Sequence, residues 1–171
     1  MNLEEVKESF KKYTMQSKAS AGREWVYNCK KEPVIVAERL LKDPEEPAGG
    51  LRDYKMLCFG GKVEYIICVN GRHTKNYRHI VYNKNWEKQN VVIGESSAEG
   101  ELEKPNNFNE MKCIAEILSS DFPAARIDLY SIHGKIYFGE ITFFPWSGYM
   151  RFEPDIFDYM LGDKFLLNNI F

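Results

Sequence analysis

The residues best placed to do chemistry lie between Arg126 and Gly148, in the run RIDLYSIHGKIYFGEITFFPWSG. Ile127, Leu129 and Ser131 alternate with Asp128, Tyr130 and Ile132. Gly134 marks a turn, and Lys135 to Phe143 returns as a second β-branched and aromatic run. That pattern predicts a β-hairpin, and its loop length decides which side chains share a face. A two-residue turn at His133 and Gly134 pairs Ile127 with Glu140 and sends Asp128 and Glu140 to opposite faces, because side chains alternate with period two. A three-residue loop, His133 to Lys135, pairs Asp128 with Glu140 and sets Thr142 on the same face. It also puts Tyr130 opposite Phe138 and Ile127 opposite Ile141. The longer loop is our expectation.

Two carboxylates facing each other across an antiparallel pair sit ~5 Å apart and repel unless a cation or a shared proton lies between them. Mg²⁺ suits such oxygen ligands, taking one or two protein carboxylates and completing its shell with water and substrate phosphates. Arg126 faces the same way and carries a fork that fits a phosphate. The plainer reading of the same spacing is an exposed hairpin whose arginine neutralises two acidic residues. Spacing alone does not choose between the two.

The elements that must position this hairpin follow from the rest of the chain. Its 171 residues suffice for one domain with a real core. Within it, residues 1–32 read as a helix and linker and 33–171 as the sheet and helices. A net charge of −2 argues against a general nucleic-acid or membrane-surface binder. Cys29, Cys58, Cys68 and Cys113 show no C-x-x-C pairing, so they are expected as reduced, buried thiols. No secretory signal and no apolar run of membrane-spanning length is visible, and a cytoplasmic location is expected.

Residues 2–13 predict an amphipathic helix with Asn2 and Glu5 as a capping box. QSKASAG, residues 16–22, reads as a loop without the glycines of a phosphate cradle, and Trp25 and Tyr27 read as packing residues. Pro33 to Leu41 predicts a buried strand. Leu51 to Val69 predicts a hairpin around Gly60 and Gly61, with Asp53, Lys55 and Leu57 on one face; that spacing permits Lys55 to pair with Asp53. Gly71 to Asn90, with Arg72, His73, His79 and Trp86, reads as a polar loop, although basic and aromatic residues so interleaved can also bind an anion. His73 and His79 lack a carboxylate or cysteine at ligand spacing. Glu95 to Lys104 is expected to be a mobile acidic turn. Asn107 to Ser120 predicts the best helix of the chain, capped by Asn107 and packed on Ile127, Leu129 and Ile141. Phe152 to Phe171 predicts a docking helix or turn segment.

The phrases PVIVAERLL, DYKMLCFGGKV, RIDLY, KIYFGEITFFPWSG and LGDKFLL occur in an order that resembles the TupA-like ATP-grasp family, named for teichuronopeptide synthesis, from Pro33 onward. In ATP-grasp enzymes the corresponding pattern is an Arg-x-Asp strand, a turn, and a strand ending Glu-x-Asn with a Pro-Gly loop. The resemblance implies an α+β fold, an antiparallel sheet with packed helices like the C-terminal lobe of ATP-grasp proteins. It implies an ATP- and Mg²⁺-dependent ligase that makes an acyl-phosphate and passes it to an amine or similar acceptor, in cell-envelope polysaccharide assembly. Asp128, Glu140 and Thr142 would then hold the metal, Arg126 and Lys55 the phosphates and Glu38 the ribose. Arg72 would lie near a small-molecule or saccharide acceptor and join Arg126 as a catalytic group.

Thr142 stands where the superfamily has Asn, and Trp146 stands where its loop has Gly. The likeness covers the carboxy-terminal portion of the family, without the earlier Gly-rich lobe, so the expectation is a ligase incomplete as a lone chain, either a fragment or the partner of a separately encoded N-terminal half. No nucleic acid and no membrane insertion are expected. The competing classes are a non-catalytic nucleotide-binding or scaffold module and a glycosyltransferase.

Overall fold

The computed structural model describes residues 2–16, 35–44, 50–96 and 98–165. It divides into two compact units, Met1–Leu40 and Leu41–Phe171. In the first, helix α1 runs from Leu3 to Gln16. Its start is the predicted reciprocal cap. The Asn2 amide donates to Glu5 Oε2 at 3.2 Å, and the Glu4 amide donates to Asn2 Oδ1 at 3.3 Å. Residues 35–43 do not form the predicted strand. They carry no regular secondary structure, and Ile35, Val36 and Leu40 are exposed. A β-branched run becomes a strand only where a neighbour pairs with it and its side chains are covered. The expected loop at 17–22, Trp25, Tyr27, Cys29 and Pro33 lie outside the described residues.

The second unit is built on a five-stranded antiparallel sheet, with β1 Asp53–Phe59, β2 Lys62–Asn70, β3 Arg78–Asn83, β5 Ala124–Ile132 and β6 Lys135–Thr142 in the order β3-β2-β1-β5-β6. Two short strands, β4 Val92–Ile93 and β7 Phe152–Glu153, pair separately. Helix α2 is Phe108–Ser119 and α3 is Ile156–Gly162. The architecture is therefore α+β, as expected. Gly60 and Gly61 turn β1 into β2 with φ of 54° and 72°, the positive values a type I′ turn needs.

The stretch 71–90 is not simply a loop. Ile80, Val81 and Tyr82 are buried in β3, a strand too short and too flanked by polar residues to stand out in the pattern. Trp86 is not a platform for an anion or base. Its ring stacks on Tyr82 at 4.4 Å and meets Phe108 edge-on at 4.9 Å. The acidic stretch 95–104 is also tied down: the Leu102 amide donates to Tyr82 Oη at 2.7 Å, Trp86 Nε1 donates to the Leu102 carbonyl at 3.3 Å, and Lys88 donates to the Gly100 carbonyl at 2.8 Å.

The sheet's two faces have different partners. Met56, Ile66, Ile80, Ile127 and Leu129 pack against Phe108, Met111 and Ala115 of α2, the stripe at helical spacing that the sequence predicts. Asn107 does not cap that helix, because its φ of −97° and ψ of 18° aim the side chain elsewhere. It donates to the Gly134 carbonyl and accepts from Ser131 Oγ, both at 3.0 Å, and so ties α2 to the hairpin. On the other face, Tyr65, Ile67, Val69 and Val81 are covered by Ile93, Phe152, Phe157 and Leu161. That apolar cover lies over β2 and β3, and the polar residues of β1, β5 and β6 share the same face beside it.

Cys58 and Cys68 are buried free thiols, as expected, and burial pushes Cys58 up to about 11 and Cys68 well above its ordinary value. Cys113 is exposed, because it sits between the buried positions 111 and 115 on the outward side of α2. Among the described residues no helix is long and apolar enough to cross a membrane.

Candidate functional site

The turn joining β5 to β6 has two residues, not three. Ile132 pairs with Lys135, and His133 and Gly134 take φ of 51° and 73°. Counted back from that turn, Asp128 would face Gly139. The register instead shifts between Asp128 and Leu129: Leu129 opposes Phe138, Asp128 opposes Glu140, and Gly139 is the extra residue of a β-bulge. The bulge delivers the pairing that the longer loop was expected to deliver. Ile127 opposes Ile141 as expected, whereas Tyr130 opposes Tyr137 and not Phe138. Position 139 has little room, since a Cβ there would lie 3.1 Å from the Asp128 carbonyl oxygen and 3.1 Å from the Tyr130 ring. Gly139→Val is therefore expected to cost about 1–3 kcal/mol, read as a lowered urea midpoint.

The bulge completes a ladder of charge across the uncovered part of the sheet. Register places Lys55 beside Asp128, and Asp128 beside Glu140; Arg126 lies one row away, beside Thr142. Arg126 is buried and holds Asp128 with both prongs of its fork, Nε to Oδ1 at 2.7 Å and Nη2 to Oδ2 at 2.9 Å. The same Nη2 donates to Glu140 Oε1 at 2.7 Å and to Thr142 Oγ1 at 3.0 Å. Lys55 bridges Asp128 and Asp53, reaching Asp53 Oδ2 at 2.6 Å, and Arg72 reaches the same oxygen at 3.1 Å. Three carboxylates thus face three cations, and the ladder is close to neutral. Burial raises Asp53 above its ordinary carboxyl value, against the pull of Lys55. Burial, then the Asp53 and Asp128 charges, likewise raises the Tyr130 phenol.

Beside the ladder lies a cleft of about 210 Å³. Lys55, Arg72 and Arg126 supply its charge, Ile67, Val69 and Ile93 its apolar wall, and Trp146 and Met150 also line it. Trp146 sits in a 3-10 turn, Pro145–Gly148, with a φ of 52°, and its ring lies over Gly94, where a Cβ would be 3.6 Å away.

His79 and Tyr77 complete the lining. His79 is buried, with Nε2 at 2.7 Å from Tyr77 Oη. Burial, and then the Lys55 and Arg72 charges, lower its pKa to about 4. The imidazole is neutral in the folded protein and ordinary in the unfolded chain, so the unfolded chain binds more protons between pH 6.5 and 4. Stability from this group is full above pH 6.5 and is lost as pH falls through that window, by about 2–3 kcal/mol. Asp53 opposes it, because its raised pKa adds stability as pH falls. The His79→Gln variant isolates the histidine: its unfolding free energy, subtracted from that of the wild type, should show this slope.

Of the residues singled out by sequence, Arg126, Asp128, Glu140, Thr142, Lys55 and Arg72 all belong to the second unit. The first five lie on one sheet face, and Arg72 joins them through Asp53. Glu38 belongs to the first unit and is exposed there, in residues without strand structure. Sequence reasoning named His79 only as part of a polar loop and passed over Tyr77; the unrecognised strand β3 and its approach place both at the cleft. The alternation of His79 with Val81 was the available signal.

Two opposed carboxylates and a hydroxyl form an all-oxygen donor set of the kind Mg²⁺ takes. Asp128 gives both oxygens to Arg126 and Lys55, whereas the Glu140 side chain is 60 % exposed and is held through Oε1. The set fits the ion provided that a cation releases Asp128 as it binds. Among the described residues no group of three or more His, Cys, Asp or Glu side chains could hold a metal.

No curated protein and no solved structure matches the chain. A family model does match, that of the TupA-like ATPgrasp family, over residues 1–166. The match takes in the first 32 residues, which the resemblance read from Pro33 onward leaves out. With nearly its whole length matched, the chain belongs to the TupA-like ATPgrasp family.

Proposed function

We propose that the charged ladder binds Mg²⁺-ATP, and that the protein acts as an ATP-grasp ligase in polysaccharide assembly. The observation that carries the reading is the bulged register that sets Asp128 beside Glu140 with Arg126 gripping both. A neutral ladder has little net attraction for a polyphosphate, and the ion brings the positive charge that the protein does not supply. Asp128, Glu140 and Thr142 would hold it there, and it would offset charge on the transferred phosphoryl group.

The chain's own groups then position substrates. Arg126 presents its fork to a phosphate oxygen and Lys55 a point charge, once each gives up its bond to Asp128. A carboxylate substrate attacks the γ-phosphorus and ADP leaves; an amine or similar nucleophile then attacks the acyl carbon and inorganic phosphate leaves. Arg72, which lines the cleft and shares Asp53 Oδ2 with Lys55, orients the acceptor.

A second reading, a non-catalytic module, is favoured by one observation: both oxygens of Asp128 are already taken by protein cations. Calorimetric titration of the full chain decides between them. Mg²⁺-ATP binding, with ADP release when a carboxylate and an amine are supplied, supports the ligase. Failure to bind Mg²⁺-ATP, the outcome that an Asp128 already held by protein cations favours, supports the module, and preference for a UDP-sugar contradicts both.

A further inference from the structure

The two edges of the five-stranded sheet are finished differently. The outer side of β3 is taken by its own chain, since the Gln89 amide donates to the Val81 carbonyl at 2.8 Å and the Asn83 amide to the Glu87 carbonyl at 2.9 Å. Strand β6, at the other end of the order, pairs among the described residues with β5 alone. An unpaired edge is a template for a further strand, and the residues of this one complement themselves. We propose that β6 pairs antiparallel with β6 of a second copy of the chain, about a two-fold axis at Tyr137, so that the two sheets become one continuous sheet.

Three observations select that register, and the first is the direction of the backbone groups. Residues flanking a two-residue turn exchange both hydrogen bonds, so Lys135 aims its amide and carbonyl at Ile132, and by alternation Ile136 and Phe138 aim theirs outward. An axis at Tyr137 opposes Ile136 to Phe138 of the second copy, twice, and so joins the outward groups of both. The second observation is the face. Phe138 opposes Leu129, and Ile136 packs in the same apolar cluster against α2. Tyr137 opposes Tyr130 on the face of the charged ladder, and Lys135 Nζ stands over its ring at 5.3 Å. Residues opposed across an antiparallel pair share a face, which the Ile136–Phe138 pairing satisfies and a register shifted by one residue does not. Phe138 is 55 % exposed, and the pairing covers it.

The third observation is charge. Lys135 and Glu140 are the charged residues of β6 and stand toward opposite ends of it. Residues an odd number apart lie on opposite faces of a regular strand, but the bulge at Gly139 turns Glu140 to the face of Lys135. With the axis at Tyr137, the lysine of each copy lies opposite the Gly139–Glu140 bulge of the other. Arg126 holds Glu140 through Oε1, and the second copy's lysine meets the carboxylate from the outer side. An axis at Lys135 would set lysine against lysine, and one at Glu140 glutamate against glutamate. The pairing rests on this strand and not on the ligase reading.

A contact through one short strand is small, of the class that associates weakly. Sedimentation velocity of the full chain from about 1 to 200 μM should show monomer passing to dimer, with a dissociation constant of about 10–100 μM. Phe138→Lys, which sets a charge at the apolar part of the edge, should remain monomeric over the same range. Lys135→Glu should weaken association about tenfold at low salt, and Lys135→Arg should preserve it. Cysteine pairs locate the axis. Opposed residues whose hydrogen bonds point away from each other have Cα atoms about 4.5 Å apart, within disulfide reach. In a Cys113→Ser background, oxidation with diamide should therefore link two Tyr137→Cys chains and leave Lys135→Cys chains unlinked. Circular dichroism confirms that each variant is folded. A wild type that stays monomeric to about 200 μM, a dimer that folded Phe138→Lys does not weaken, or linkage through Lys135→Cys in place of Tyr137→Cys overturns the proposal.

Discussion

Replacing Arg126 with methionine lowers stability by about 3 kcal/mol, the cost of stranding a buried charge. Asp128 is 2 % exposed and takes two of its bonds from the Arg126 fork. Methionine fills much of the same space, so the loss is electrostatic and not a cavity. Lys55 remains on Asp128 Oδ2 and keeps the cost below the upper end for a broken buried pair. Arg126→Lys should recover only part of it, since one ammonium cannot reproduce a two-pronged contact. Urea unfolding of the three proteins measures the series, and an Arg126→Met protein as stable as wild type would show the ladder to be unimportant to the fold.

Asp128→Asn is expected to act with opposite signs on two forms of the nucleotide. Removing one of three carboxylates leaves Lys55, Arg72 and Arg126 facing two, and the face becomes positive. Metal-free ATP should then bind about tenfold more tightly, from one uncompensated unit charge acting across a partly solvated site. Added Mg²⁺ should no longer strengthen binding, because one of its two carboxylates is gone. Titration with ATP in chelator, and again with excess magnesium, reads both effects. An inert scaffold would show neither.

Much of this site was legible because charge and alternation survive an error in the turn. The expectation of a three-residue loop was wrong, yet its consequence held, since the bulge at Gly139 adds to β6 the residue that the turn does not contain. A bulge leaves little trace in a hydrophobic pattern, and only the glycine in mid-strand hints at it. The helix α2 and the Gly60-Gly61 turn were read from short-range chemistry and are present. Strand β3 was not, because His79 sits in it as a buried polar residue, which periodicity reads as exposed. Residues 35–43 failed in the other direction, with β-branched side chains that no strand among the described residues covers. Long-range pairing decides both cases, and local propensity carries no information on it. The same limit explains Asn107, a good capping residue that hydrogen-bonds the hairpin instead.

On the ligase reading Asp128 and Glu140 act as a pair on Mg²⁺-ATP, and Glu140, whose side chain is 60 % exposed, is the partner that can be changed with least cost to the fold. Calorimetric titration of Glu140→Gln beside wild type, each with and without magnesium, is the measurement. Wild type should bind Mg²⁺-ATP at least about tenfold more tightly than metal-free ATP, and the variant should lose that difference. Equal magnesium dependence in the two proteins would contradict the account.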